Sequence, residues 1–185
     1  MLRIAVIVGS TRPGRHGRQV AEWVLDRARN RPDAEFELID VASFELPLLD
    51  EPLPPSRGHY EHKHTKAWAK AISAYDGYVI VTAEYNHSVP GALKNALDFL
   101  YAEWNNKSVG FVSYGSAGGT RAVEHLRTIA GELQMADVRA QVALPMATEF
   151  EQYTTFTPSP RAEEALRLLL EQVTAWAGAL RVLRT

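Results

Sequence analysis

The sequence predicts an α/β fold, a parallel sheet with helices on both faces, and three observations lead to this prediction. Along 185 residues, three short apolar runs rich in β-branched residues are each followed by a loop and then by a segment of helical periodicity. The loops span residues 9–14, 84–91 and 113–119, and each contains glycine. Continuous apolar runs are typical of strands buried on both faces. Because loops that follow neighbouring parallel strands share one edge of the sheet, we expect the three loops to line one crevice.

The predicted elements alternate regularly along the chain. The first strand, residues 4–8, precedes a helix reaching to about residue 28, in which Val20, Trp23 and Val24 recur at helical spacing. Four more strands and four more helices follow. The strands lie at residues 36–41, 78–83, 109–113 and 138–144, and the helices at residues 61–74, 92–101, 120–133 and 161–183.

Two stretches show neither helical nor strand periodicity. Four prolines make residues 43–58 an extended loop, and residues 145–160 are expected to be irregular. The alternation implies right-handed crossovers and a parallel sheet between two helical layers. With five strands, the flavodoxin-like three-layer sandwich with strand order 2-1-3-4-5 is the natural arrangement, and its switch point lies between strands 1 and 3. The length predicts a single domain over residues 1–185.

The composition narrows the classes of function. Apolar residues make up 46% and charged residues 23%, and the net charge is −2, which argues against a nucleic-acid surface or a polybasic membrane anchor. The absence of cysteine excludes disulfides, thiolate nucleophiles and cysteine-ligated metals. No apolar stretch approaches membrane-spanning length, and the amino terminus is not that of a signal peptide. We expect a soluble cytoplasmic protein.

The first loop is suited to an anion. It lies between a buried strand and the amino end of a helix, where free N–H groups and the helix dipole favour negative charge. Ser10 and Thr11 add hydroxyl groups, and the planar guanidinium of Arg12 suits a phosphate. It is neither a Walker A loop nor a Gly-x-Gly-x-x-Gly loop. The alternative is a simple turn with a surface arginine.

The second and third loops suggest a wall for a planar ligand. Tyr85 and Asn86 leave the central strand with several backbone amides. A plain helix start, capped by Ser88 with Pro90 in the first turn, is the alternative. In the third loop, three glycines allow the backbone to lie flat against a ring, so we expect a side chain at Gly118 to block the ligand while leaving the fold intact. A serine-hydrolase nucleophile elbow at Ser116 is disfavoured. The elbow requires a glycine where this chain has Tyr114, and no convincing pair of an acid and then a histidine follows along the chain.

In this order the loops resemble those of the NADPH-dependent FMN reductase family, a flavodoxin-like group that includes chromate, quinone and azo-dye reductases. The resemblance covers residues 3–145. Its carriers are Gly9-Ser10-x-Arg12, Glu84-Tyr85-Asn86 with Pro90 and residues 93–98, and the glycines at 115, 118 and 119. It implies an enzyme with FMN and NADPH as cofactors and a small-molecule electron acceptor. It also implies a homodimer or homotetramer, with the flavin near a subunit interface.

The resemblance also implies the site residues. It assigns the FMN phosphate to Ser10, Arg12 and the amides of residues 14–17, a stretch that includes Arg15, His16 and Gly17. It places one side of the flavin ring system against Glu84, Tyr85, Asn86 and His87. It places the other edge against residues 113–119, with Ser113, Gly115, Gly118 and Gly119.

Two departures from the family pattern concern this site. Many members have serine and asparagine at the positions of Arg15 and Gly17, so Arg15 could replace the lost hydroxyl as a phosphate partner or reach the 2′-phosphate of NADPH. Ala83 stands where a proline usually precedes Glu84, which leaves the strand exit less stiff. Because the flavin carries the redox step, no side-chain acid, base or nucleophile is obligatory, and we name no catalytic residue.

Two other functions stay open at this stage. The first is a non-enzymatic flavodoxin-like electron carrier. Such carriers are often strongly acidic, whereas this chain has a net charge of only −2. The second is an interaction module with an empty crevice.

Other features have mainly structural interpretations. His59, His62 and His64 are expected to be solvated rather than metal ligands, so we predict no metal site. The apolar, proline-rich segment 45–58 is interpreted as a cover for a neighbouring subunit, or else as a wrap over its own sheet.

Overall fold

The computed structural model describes residues 1–184, and its centre is a five-stranded parallel sheet. The strands are β1 (Leu2–Val8), β2 (Ala34–Asp40), β3 (Gly77–Ala83), β4 (Ser108–Gly115) and β5 (Ala136–Pro145). They pair in the order β2-β1-β3-β4-β5, and all four pairings are parallel. The predicted order is confirmed. Since β1 lies between β2 and β3, the loops after β1 and β3 meet at the switch point.

Helices cover both faces of the sheet. They are α1 (Gly17–Ala28), α2 (Lys63–Ser73), α3 (Gly91–Asp98), α4 (Thr120–Glu132), the single turn α5 (Met146–Glu149) and α6 (Pro160–Leu180). One core joins α1 and α6 to the sheet, with Trp23 and Leu169 among its buried residues. The opposite core joins α2, α3 and α4 through Trp68, Leu93 and Leu126. The fold is therefore a flavodoxin-like three-layer sandwich.

Burial explains why the central strands are so apolar. Every residue of β3 is buried, and β4 is buried except for Gly115 at its end. A strand covered on both faces has no solvent side, so its sequence shows no alternation. The edge strand β5 alternates between buried and more exposed positions and shifts register between Val109 and Phe111 of its neighbour β4. The short apolar runs consequently position the ends of β1, β3 and β4 rigidly.

The stretch 145–160 is more ordered than the sequence predicted. It contains α5 and a two-stranded hairpin, β6 (Phe150–Glu151) and β7 (Thr155–Phe156), that packs on α1. The Phe156 and Trp23 rings lie 5.2 Å apart, and Gln19 bonds to the backbone of the hairpin. Strands of two residues are too short for a periodic signal, which is why the prediction of an irregular segment was wrong.

Several boundaries also differ from the prediction. The third predicted helix ends at Asp98 rather than at residue 101, and the last ends at Leu180 rather than at residue 183, followed by one 3₁₀ turn over Arg181–Arg184. Two further 3₁₀ turns, Val41–Phe44 and Pro55–Arg57, lie in or beside the proline-rich segment. Helix ends fray and tighten, so their exact residues are the least predictable part of an element.

Candidate functional site

The loops after β1 and β3 are joined at the switch point. Ser10 is almost completely buried, and its Oγ lies 2.6 Å from the Oη of Tyr85. The backbone N–H of Arg12 also points to Ser10 Oγ, at 3.4 Å. Behind them, the N–H of Gly9 donates to the carbonyl of Val81 in β3 at 2.9 Å. Ser10 and Tyr85, both predicted as site residues, are therefore brought together.

Arg12 and the start of α1 form a positive cradle at this point. The Arg12 side chain is exposed and makes no ion pair or hydrogen bond with any residue of 1–184, and its Cζ lies 6.0 Å from the centre of the Tyr85 ring. No side chain caps α1, whose N-cap is His16. Gly14 has φ +70° and open space around it, which lets the loop turn sharply. An unpaired guanidinium beside an uncapped helix start is a site for an anion.

Arg15 does not point into this cradle. Its guanidinium forms an ion pair with Asp40 at the end of β2, and Asp40 also accepts from the N–H of Ala42 at 3.1 Å. Arg15 Nε is buried without a hydrogen-bond partner in the described chain. The carboxylate of Asp40 thus engages the guanidinium that the sequence offered to a phosphate or to the 2′-phosphate of NADPH, and that role stays a prediction.

His16 and Gly17 line the base of the cradle. The His16 ring packs 5.3 Å from Phe150, and its Nδ1 lies 3.1 Å from the side-chain amide of Gln19. Gly17 is tightly packed, since a Cβ there would lie 3.1 Å from the Oη of Tyr114. That hydroxyl is buried without a partner among residues 1–184, and burial raises the pKa of Tyr114 to about 12. The phenol is therefore neutral and lies beneath the first loop, beside Ser10 and the backbone of Gly17.

The second loop is a tight hairpin turn. Tyr85 and Ser88 exchange two backbone hydrogen bonds, of 3.0 and 3.1 Å, and the two residues between them have positive φ: Asn86 at 50° and His87 at 68°. Two central residues with φ > 0 are the signature of a type I′ turn, in which asparagine is favoured. Their exposed side chains are consequently fixed at the tip of the loop rather than free to move.

Glu84 is directed toward α4 rather than toward the crevice. Its side chain is only 5% exposed and forms an ion pair with Arg121, whose Nε donates at 2.6 Å. Its second oxygen accepts from the N–H groups of Arg121 and Ala122, so it caps α4. Burial raises the carboxyl pKa, but these hydrogen bonds outweigh it, and the pKa of Glu84 lies below its usual value. The carboxylate is structural, and the backbone N–H of Glu84 also has a partner, the carbonyl of Tyr114 at 3.1 Å.

Residues of α4 complete the second loop, and sequence reasoning missed them. Arg121 Nη1 lies 2.9 Å from Nε2 of His87, and Ser88 Oγ lies 2.8 Å from Nδ1 of His125. Ser88 therefore bonds to α4, and α3 begins after Pro90 without a side-chain cap, so the alternative in which Ser88 caps that helix was wrong. The four-residue spacing of Arg121 and His125, which places both on one helix face, was the available signal.

The glycines of the third loop serve its own packing. Gly118 and Gly119 have φ +70° and +74°. A Cβ on Gly118 would lie 3.1 Å from the Cβ of Ala143, and one on Gly119 would lie 2.7 Å from the Cβ of Ser113. The expectation that a side chain at Gly118 would spare the fold is therefore wrong. Gly115 fits closely too, since its Cβ would lie 3.3 Å from the Cβ of Glu84.

Ser113 is turned inward as well. It is fully buried, and its hydroxyl donates to the carbonyl of Gly118 at 2.7 Å. The hydroxyl thus ties the loop to the end of β4 and does not face the crevice. What the third loop offers a ligand is backbone, so its predicted role as a flat edge stays a prediction.

A phosphate-tailed flavin fits these residues. The anion cradle of Arg12 and α1 lies beside the Tyr85 side chain, and the second and third loops present backbone from neighbouring strands β3 and β4. Polar side chains that would otherwise intrude are bonded within the protein, as for Glu84 and Ser113. The arrangement can hold an anionic tail and stack a planar group, and it brings no nucleophile–base–acid triad together.

The histidine cluster lies apart from the crevice. The rings of His62 and His64 stack 5.2 Å apart, and His64 Nε2 lies 2.9 Å from a carboxylate oxygen of Asp50. His59 is exposed and contacts neither ring. Within residues 1–184 no three potential ligands from His, Asp and Glu are grouped closely enough to hold a metal ion.

Known proteins resemble this chain in sequence and fold. Residues 2–149 match the model of the NADPH-dependent FMN reductase family. An NAD(P)H-dependent FMN reductase of Nectria sp. is 36% identical over 186 residues, covering 97% of this chain and 89% of that protein. A quinone reductase of Escherichia coli K12 is 35% identical over 135 residues, 69% of each chain.

A solved structure has the same fold. The flavoenzyme NAD(P)H:(acceptor) oxidoreductase FerB from Paracoccus denitrificans superposes with a TM-score of 0.74 at 19% identity, over 97% of this chain and 98% of that one. The predicted family resemblance is confirmed by the family match and by relatives above 30% identity. The chain therefore belongs to the NADPH-dependent FMN reductase family of FMN-dependent NAD(P)H oxidoreductases.

Proposed function

We propose that the crevice binds FMN with its phosphate on Ser10, Arg12 and the amides at the start of α1. The flavin ring system then lies between the second and third loops. The observation that carries this proposal is the unpaired guanidinium of Arg12 beside an uncapped helix and beside Tyr85. Such a site lacks only the negative charge that a phosphate brings.

The protein supplies position and access to this chemistry. Bound FMN would supply the redox chemistry, which is hydride transfer from NAD(P)H and transfer of two electrons to an acceptor. We expect backbone N–H groups at the tips of the second and third loops to stabilise the negative charge that reduction would place on the ring. Tyr85, held by Ser10, fixes one wall of the crevice.

We infer that the acceptors are small, planar and electron-poor, with quinones and free flavins first and azo compounds next. Two relatives support quinones, a 2-hydroxy-1,4-benzoquinone reductase of Burkholderia sp. and a quinone reductase of Escherichia coli K12. A crevice lined mainly by backbone selects ligands by their shape more than by their particular functional groups. Such a crevice suits planar acceptors in general.

Three measurements on the purified protein test this function. FMN titration is expected to quench flavin fluorescence, anaerobic NADPH is expected to bleach the bound flavin, and 1,4-benzoquinone is expected to restore its colour. Flavin that binds but does not react with NADPH would indicate an electron carrier. A protein that does not bind FMN would indicate an interaction module.

We also propose that the protein is a homodimer or homotetramer joined through segment 45–58. Leu48 is 85% exposed there, with Leu49 and Leu53 also exposed. The segment is nevertheless held firmly, because Asn95 bonds to the carbonyl of Pro47 and to the N–H of Leu49. An ordered, exposed apolar surface favours a protein partner.

Light scattering after size-exclusion chromatography tests the oligomer. Leu48→Asp is expected to lower the mass, to that of a monomer where the wild type is a dimer and to that of a smaller assembly where it is a tetramer. Leu168→Asp, at an exposed leucine on α6, is expected to leave the mass unchanged. A monomeric wild type would contradict the proposal, as would a Leu48→Asp variant of unchanged mass.

The place of the protein in the cell stays a prediction. Among residues 1–184, none of the helices combines the length and the apolar character needed to cross a bilayer. We keep the cytoplasm as the expected location, and fractionation of cells that express the protein tests it.

A further inference from the structure

His87 is held at the tip of the second loop by a three-residue chain of contacts. Its Nε2 lies 2.9 Å from Nη1 of Arg121. Arg121 is fixed in turn by the buried carboxylate of Glu84, which also caps α4. His87 is exposed, but its imidazole is therefore anchored through Arg121 to α4 and to the end of β3.

This contact determines which tautomer His87 adopts. A guanidinium has only N–H donors, so the ring nitrogen that faces it must accept. Nε2 of His87 consequently carries no proton in this arrangement, and the ring proton lies on Nδ1. Nδ1, which one ring carbon separates from Nε2, has no hydrogen-bond partner within residues 1–184. His87 thus presents a neutral N–H donor to the outside of the loop.

The backbone around His87 is also unusual. The residue has φ +68°, a left-handed conformation that is uncommon for non-glycine residues and that Asn, Asp and His adopt most often. Two backbone hydrogen bonds between Tyr85 and Ser88 hold it there. Other polar side chains of the second loop already have partners, since Tyr85 bonds to Ser10 and Ser88 to His125. Among the described residues, two side chains of this loop therefore have unused hydrogen-bond donors, Asn86 and His87. Of these two, the His87 ring is the one held in a fixed orientation, by Arg121.

We propose that His87 donates its Nδ1–H to a carbonyl oxygen of a quinone acceptor and polarises it for reduction. This proposal rests on the function proposed above, which places the second loop against the flavin. A quinone becomes a hydroquinone by gaining one hydride, which carries two electrons and a proton, and one further proton. The hydride comes from the reduced cofactor, and the second proton comes from water. His87 keeps its own proton and stabilises the negative oxygen that exists between these two events.

The acceptor step can be measured apart from the NADPH step. FMN-loaded protein is first reduced with one equivalent of NADPH and then mixed rapidly with 1,4-benzoquinone or with ferricyanide. Ferricyanide takes single electrons and has no carbonyl to polarise, so it reports flavin access alone. His87→Ala is expected to slow reoxidation by benzoquinone about tenfold, the effect of one lost hydrogen bond, and to leave reoxidation by ferricyanide unchanged.

His87→Asn is the matched rescue variant. Asparagine tolerates positive φ and offers an N–H donor, so the benzoquinone rate is expected to return to within about threefold of the wild type. His59→Ala, at an exposed histidine outside the crevice, is the control and is expected to behave as wild type.

Three results would overturn the role of His87: an unchanged benzoquinone rate in His87→Ala, an equal loss with ferricyanide, or an Asn variant as slow as the Ala variant. Failure of the underlying function looks different, because wild-type protein would then not bind FMN or would not be reduced by NADPH.

Discussion

The hydroxyl oxygens of Ser10 and Tyr85 lie 2.6 Å apart and join the loops that follow β1 and β3. These two strands are neighbours only because the chain crosses over from β2, so residues 75 positions apart meet at the switch point. The bond fixes the Tyr85 ring beside Arg12, where it forms one wall of the proposed flavin site. The strand order brings the two loops together, and the hydrogen bond between Ser10 and Tyr85 then fixes the shape of the crevice between them.

Removing the Tyr85 hydroxyl tests whether this wall matters for the cofactor. Tyr85→Phe keeps the ring but loses the bond to Ser10, and one such bond contributes about 0.5–1.5 kcal/mol. We expect the Kd for FMN to rise about twofold to tenfold, measured by quenching of flavin fluorescence. Tyr153→Phe, at an exposed tyrosine of the hairpin, is the control. Equal affinities for the wild type and Tyr85→Phe would remove this bond from the site.

Arg12 is expected to contribute most to binding of the phosphate. Arg12→Ala removes a charged hydrogen bond of about 1.5–3 kcal/mol, so the Kd for FMN should rise about tenfold to a hundredfold. Riboflavin, which lacks the phosphate, should bind the variant as it binds the wild type. Arg57→Ala removes an exposed arginine of segment 45–58 and serves as the control. A parallel loss of riboflavin affinity would contradict a phosphate contact.

The fold was predictable because its signals are local and strong. The apolar runs of β1, β3 and β4 follow from burial on both faces, and alternation with helices leaves few topologies. The partners of the site side chains were not predictable in the same way. That Arg15 pairs with Asp40, and Glu84 with Arg121, depends on side chains 25 and 37 residues apart that only the folded sheet brings together. Both arginines and both carboxylates are visible in the sequence, but their pairing is not.

The third loop shows a different limit. Its three glycines were correctly recognised as a place of close approach, and part of that approach is to the protein itself. Gly119 packs against Ser113 and the backbone N of Tyr114 in its own loop, and its contact with a ligand stays a prediction. A sequence indicates that a Cβ is not tolerated, and it does not indicate what the Cβ would meet.

Substitution of two glycines separates close packing from conformational freedom. In Gly119→Ala the new Cβ would lie 2.9 Å from the N of Tyr114, at φ +74°, so we expect a loss of at least about 2 kcal/mol and a Tm lower by about 4–8 °C. In Gly131→Ala the Cβ meets nothing within 4 Å on helix α4, so a gain of about 0.5–1 kcal/mol is expected. Thermal unfolding followed by circular dichroism measures both. Two variants of similar Tm would contradict this account of Gly119.

Lys107 gives the stability of the protein a distinctive dependence on pH. It is buried at the far end of the sheet from the crevice, where its Nζ donates to the carbonyl of Ile72 at 3.2 Å and to the Oη of Tyr78 at 2.9 Å. Burial, followed by the nearby charge of Arg184, lowers the pKa of Lys107 to about 8 from its ordinary 10.5. The folded protein thus disfavours the protonated amine more than the unfolded chain does.

The sign of the effect follows from proton binding. Between pH 8 and 10.5 the unfolded chain holds the proton of Lys107 more tightly than the folded protein, so the free energy of unfolding rises with pH over this range. The contribution is complete above pH 10.5 and is lost as the pH falls through about 8. Its full size is on the order of 3 kcal/mol. Between pH 7 and 10.5 the free energy of unfolding in urea should therefore rise in the wild type relative to Lys107→Met by about 3 kcal/mol, while Lys66→Met, at an exposed lysine of α2, should run parallel to the wild type. Parallel pH profiles for the wild type and Lys107→Met would show that Lys107 binds its proton equally well in the folded and unfolded states.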